Sequence, residues 1–142
     1  MQYVCDAGPK TWFRLETEAE AQRESAEMDH AVAKYFRQSW AQAEKAYVPP
    51  ATAHRFEQKI GLKAHIQRAM PLFLTLRDNS GTPLATAMLP PSAKDDKAFR
   101  PIIVGKSNAD PYQDHGDAIT KLGEHFKLTL DRVRCFPNYR RE

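Results

Sequence analysis

The chain has 142 residues, the size of one domain, with 42% apolar and 27% charged side chains and a net charge of +3. That balance suits a globular core and argues against a fibre or a disordered tail. The longest apolar runs, Leu72-Phe73-Leu74 and Ile102-Ile103-Val104, fall far below the ~20 residues of a membrane span. The first ten residues lack the basic and apolar regions of a secretion signal. Cys5 and Cys135 fit neither a metal spacing nor a disulfide framework. The expectation is one cytoplasmic α+β domain over residues 1–142, with two free thiols, no cofactor and no membrane contact.

The chain opens on a predicted hairpin. Tyr3-Val4-Cys5 and Thr11 to Leu15 are rich in β-branched and aromatic residues, and Asp6 to Lys10 between them is turn chemistry. Thr17 followed by Glu20 then fits a capping box. From Met28 through Val32, Tyr35, Phe36, Trp40, Ala43 and Tyr47, apolar residues recur at three- and four-residue steps until Pro49-Pro50 stops them. A helix of about 30 residues would be about 45 Å long. That exceeds the width of a domain this small, so the helix either breaks or projects with an apolar stripe in need of a partner. Tyr35, Phe36, Trp40 and Tyr47 are the expected interface residues.

Thr52 to Ile60 reads as a short helix stopped by Gly61, and residues 62–70 fit helix or strand. Leu72 to Arg77 and Leu84 to Leu89, joined by Asp78-Asn79-Ser80-Gly81, form a second predicted hairpin. Pro90 to Arg100 is a polar loop and Ile102-Ile103-Val104 a strand. A helix follows from about Pro111 to Phe126, and Arg132 to Phe136 reads as a last strand. The expected fold is a mostly antiparallel sheet of five to six strands. One long N-terminal helix and one or two shorter helices cover one of its faces.

Three aspartates and a histidine cluster at Asp110, Asp114, His115 and Asp117. They could ligate a hard cation, but adjacent helical positions diverge. Asp110, Pro111 and Gln113 also stand in the order of an N-cap, a first-turn proline and a capping-box partner. The helix reading is preferred and no metal is expected. His115 steps with Tyr112, Ile119, Leu122 and Phe126 on one inward stripe, so it could line a pocket with Asp114 and Lys106 beneath the Pro90–Arg100 loop. Gly105-Lys106-Ser107 is not a nucleotide loop, because Arg100 stands where such a loop needs glycine. Arg132, Arg134, Tyr139, Arg140 and Arg141 mix cations with a ring, as nucleic-acid contact requires. An edge strand guarded by charge would look the same.

The sequence thus favours a small protein that works by protein–protein contact. It would self-associate as a homodimer through the long helix, with an acidic partner for its basic half, residues 55–142, which carry 15 basic against 10 acidic side chains. Two alternatives remain: nucleic-acid binding through the C-terminal arginines, or a small enzyme centred on His115.

Overall fold

The computed structural model describes residues 1–51 and 54–138. Five strands form one antiparallel sheet in sequence order: β1 (Gln2–Ala7), β2 (Lys10–Arg14), β3 (Leu72–Arg77), β4 (Pro83–Leu89) and β5 (Ile102–Val104). Both predicted hairpins are present. Gly8 and Gly81 take the positive φ values, 68° and 80°, that their turns require.

Side chains alternate along each strand, and here both faces are buried. Trp12, Leu74, Leu76, Ala85, Ala87 and Ile103 pack against α4 (Tyr112–Phe126) and the short α5 (Arg132–Cys135). Leu15 and Phe73 pack on the other side, against α1 (Glu18–Met28), α2 (Val32–Ala46) and α3 (Arg55–Ala69). The sheet is therefore the middle of three layers, not covered on one face only. Trp12 is fully buried, and its indole N–H donates to the carbonyl of Ala118 at 2.8 Å, fixing α4 to the sheet.

The capping box at the start of α1 is formed. Thr17 Oγ1 accepts from the Glu20 amide at 3.2 Å, and Glu20 Oε1 accepts from the Thr17 amide at 3.2 Å. The 30-residue helix, however, is not continuous. It breaks at Asp29, which adopts a left-handed conformation with φ 52°, and α2 returns against α1. Aspartate tolerates that region better than most residues. The Ser107 hydroxyl donates to Asp29 Oδ2 at 2.8 Å, and Ala33 N–H donates to Ser25 Oγ at 2.8 Å, so both sides of the break are tied.

Three further expectations are corrected. Gly61 does not stop a helix: α3 runs on to Ala69, and residues 62–69 belong to it. A lone interior glycine costs about 1 kcal/mol, too little to end a helix that packs Ile66 into the core. Residues Arg132–Cys135 form a helical turn instead of a strand, because the Asp131 carboxylate caps the Arg134 amide at 2.8 Å. The capping box expected at Asp110 and Gln113 is absent; Pro111 is the N-cap, and Asp110 Oδ1 instead accepts from the Tyr112 amide at 2.9 Å.

The C-terminus of α4 gives a stability prediction. A Cβ on Gly123 would lie 2.7 Å from the Leu128 carbonyl oxygen, which the chain cannot move cheaply because Leu128 N–H bonds back to the Gly123 carbonyl at 2.9 Å. Gly123→Ala is expected to destabilise by about 1–3 kcal/mol despite its better helix propensity. An unchanged urea midpoint would show that the loop gives way.

Candidate functional site

The break between α1 and α2 organises a buried polar chain that the sequence reading missed. Glu24 follows Ala21 and precedes Met28 on the inward stripe of α1, and it is fully buried. Its Oε1 accepts from Arg77 Nη2 at 2.7 Å and its Oε2 accepts from the Thr86 hydroxyl at 2.5 Å. Thr86 Oγ1 is in turn 2.8 Å from His30 Nε2. Since the hydroxyl proton goes to the carboxylate, Thr86 accepts here and His30 carries its proton on Nε2. His30 Nδ1 then faces the Val32 amide at 3.4 Å as an acceptor. The carboxylate is neutralised by Arg77, whose side chain is only 13% exposed, so a buried charge is paired as it must be.

His30 is the end of this chain that meets open space. A cleft of about 350 Å³ lies between the start of α2 and the β4–β5 edge. Val32, Tyr35, Phe73, Met88, Ile102 and Val104 supply most of its walls, with His30 and Thr86 as polar points. Burial pushes the His30 pKa below the ordinary 6.5, partly offset by Glu24 and Asp29. The unfolded chain then takes up a proton first as pH falls, so stability should drop as pH goes from about 7 to about 5. Melting temperatures across that range test this, and His30→Gln should flatten the slope.

The expected interface residues are dispersed by the break. Phe36 is buried against Phe73, with ring centroids 5.2 Å apart. Tyr47 is half-buried on α3, its ring 5.2 Å from that of His65 and its hydroxyl over the bare Cα of Gly61. Tyr35 and Trp40 remain exposed. Trp40 borders a groove of about 540 Å³ between α2 and α3, with Leu62 and Ile66 inside it, Lys59 and Lys63 along its α3 side, and Glu44 and Glu16 on the opposite side.

Phe56 and Ile60, one turn apart on α3, are 73% and 56% exposed, although the sequence reading assigned them no role. Among the described residues, five of the eight exposed large apolar side chains lie between Tyr35 and Ile60. That concentration marks the α2–α3 hairpin as an unusual surface. It is also basic. Residues 32–69 carry seven Lys or Arg against two Glu, a net +5 in a chain of total +3. Lys34, Arg37, Lys45, Arg55, Lys59, Lys63 and Arg68 are all exposed.

His115 is half-buried beside the β1–β2 turn, where Lys10 Nζ approaches its Nδ1 to 2.9 Å and the Asp114 carbonyl to 3.4 Å. Burial and the Lys10 charge both hold its pKa down, against Asp114. With an ammonium proton on Nδ1, that lone pair is not free to act as a base. Asp114 and Asp117 share the groove beside His115, while Lys106 and the Pro90–Arg100 loop are not among its described lining residues.

No three acidic, histidine or cysteine side chains converge as a metal site would require among the described residues. Asp110 Oδ2 pairs with Arg132 Nε at 3.0 Å, and Arg134 pairs with Asp95. The cations of α5 thus already have acidic partners, and they sit on a helical turn, not on one face of a strand. Tyr139, Arg140 and Arg141 lie outside the described residues.

No family model, curated protein or solved structure matches the chain. No described helix is long and apolar enough to cross a membrane.

Proposed function

We propose that this protein works by binding a protein partner through its α2–α3 hairpin, and that the partner presents an acidic helix with an apolar face. One observation carries this: five of the eight exposed large apolar side chains among the described residues and a net charge of +5 fall in the same 38-residue stretch, residues 32–69. Apolar anchors such as Phe56, Ile60 and Trp40 supply contact area, while Arg55, Lys59 and Lys63 speed and orient the encounter. An amphipathic helix laid along a groove is a common way to use such a surface. The aliphatic residues Val48, Ile60 and Leu62 favour a protein over a nucleic acid, whose bases stack on rings.

A second copy of the chain is the other candidate occupant. Pairing hairpin to hairpin would bring together two segments that each carry a net +5, and like charges across an interface are unfavourable. Salt separates the two cases. Self-association through this surface should strengthen as salt rises, and acidic partner binding should weaken.

The test uses a labelled helical peptide with leucines on one face and glutamates on the other. Anisotropy should rise at about 0.05 M salt and fall back at about 0.5 M, as screening predicts. A peptide with lysines in place of the glutamates should not bind. No binding at either salt, or equal binding of both peptides, would remove the reading. Sedimentation should show a monomer at micromolar concentration in low salt.

A further inference from the structure

The cleft beside His30 lies on the opposite end of α2 from the Trp40 groove and has a different chemistry. Its walls combine three rings, those of Tyr35, Phe73 and His30, with the soft side chain of Met88 and the branched side chains of Ile102 and Val104. No Lys, Arg, Asp or Glu is among its described lining residues. In a chain with 39 such side chains, that marks the space as a place for uncharged matter.

The one buried charge near it faces away. Both carboxylate oxygens of Glu24 are occupied, one by Arg77 and one by Thr86. The same chain of bonds uses His30 Nε2–H on Thr86. The ring therefore meets the cleft as a neutral imidazole whose position is set from behind. Preorganisation of this kind makes a wall that does not need to move when something binds.

Size limits the occupant. An apolar cavity of roughly 150 Å³ holds benzene. A cleft of about 350 Å³ sits at the lower end of the range for small-molecule sites, roughly 300–1,000 Å³. It has room for a two-ring compound, not for a nucleotide or a dinucleotide, and it lacks the cations that a phosphate would need.

From these observations we infer that the cleft between the start of α2 and the β4–β5 edge binds an uncharged, planar, mainly apolar small molecule of about two fused rings. The exposed ring of Tyr35 and the partly exposed side chains of Met88 and Ile102 give it surface to pack on, over a floor backed by the fully buried Phe73. The exposed Asn108 also lines the cleft, so one polar substituent has a hydrogen-bonding residue within the site.

The probes are indole, its anionic relative indole-3-acetate and its cationic relative tryptamine. They share one ring system and differ in charge. Binding is followed by amide chemical shifts of the intact chain. Indole should bind with millimolar or tighter affinity and move the signals of residues 30–35, 86–88 and 102–104. Each charged relative should bind at least tenfold more weakly.

Ile102→Trp, which fills the cleft from its partly exposed edge, should abolish the indole shifts while the melting temperature stays near that of the parent. If that variant is unstable, Val32→Phe provides an independent filling from the helix side. The inference is overturned by no indole shifts, by shifts confined to other regions, by shifts that survive in both stable filling variants, or by equal binding of a charged relative. Failure here would leave the hairpin reading untouched, since none of these variants alters Phe56, Ile60 or the hairpin lysines.

Discussion

Replacing Glu24 by Ala should destabilise the fold by about 3–5 kcal/mol, the range for breaking a buried ion pair from one side. The carboxylate is fully buried and holds Arg77 and Thr86 together under α1. Without it, Arg77 keeps its hydrogen bond to the Gly81 carbonyl at 3.0 Å but loses its counter-charge. Thr86 loses the acceptor that fixes its hydroxyl proton, so nothing then decides which of Thr86 and His30 donates in the bond between them. Glu24→Gln should cost less, because an amide oxygen can still accept from one neighbour. Replacing both Glu24 and Arg77 by Met should recover much of the loss, since apolar pairs of similar volume often substitute well for buried ion pairs. Urea midpoints at unchanged slope are the measurement. A loss below about 1 kcal/mol for Glu24→Ala would mean that water reaches the carboxylate and that the polar chain does not organise the break.

The second large effect is on binding. Exchanging Lys59 and Lys63 for Glu should lower affinity for the acidic amphipathic peptide by about 100-fold, equivalent to about 2.8 kcal/mol. Both side chains are exposed on α3 beside the Trp40 groove, so the exchange turns two attractions into two repulsions without touching the core. Folding stability should change by less than about 0.5 kcal/mol, the usual range for surface positions. Phe56→Ser with Ile60→Ser removes the apolar contribution instead, and it should weaken binding at low salt while leaving the steepness of the salt dependence unchanged. The two pairs of variants thus separate the charge term from the burial term. An affinity unchanged by both would place the contact elsewhere on the molecule.

Much of the fold was legible from local patterns. The apolar stretches Leu72 to Arg77 and Leu84 to Leu89, with the turn residues Asp78 to Gly81 between them, point to the central hairpin. Thr17 and Glu20 gave the start of α1. What could not be read locally was decided by contacts distant in sequence.

The break at Asp29 carries no glycine or proline. It is held by Ser107, which is 78 residues away. The excess length of the helix was the one clue that it must bend. Glu24 does stand on the inward stripe, at the right step between Ala21 and Met28, and a carboxylate there asks for a buried cation. Its partner Arg77 is 53 residues away at the end of a strand, so only the folded sheet reveals it. Arg132 to Phe136 alternates like a strand, but four residues capped by Asp131 are too few for periodicity to separate strand from helical turn.

The candidate sites fared differently because each needed surface geometry. His115 lines a groove with Asp114 beside the β1–β2 turn, away from Lys106 and the Pro90–Arg100 loop, and Lys10, 105 positions away, occupies its Nδ1. Tyr35 and Phe36 are adjacent on α2 and so about 100° apart, which already divides the aromatic stripe between two faces; Phe36 turns inward, and Tyr35 and Trp40 stay outside. Phe56 and Ile60, one turn apart, fit an ordinary short helix, and their spacing alone does not say which face is covered. Their exposure follows from α3 being held to the rest by Leu62, Ile66 and the Tyr47–His65 contact on its other sides.

The most direct test is a chemical-shift map of the whole chain titrated with the acidic amphipathic peptide at low salt. The largest changes should fall on residues 55–69 and on the indole of Trp40, with the β1–β2 turn and α5 unmoved. Changes centred on α5, or spread evenly over the sheet edges, would contradict a hairpin-mediated contact.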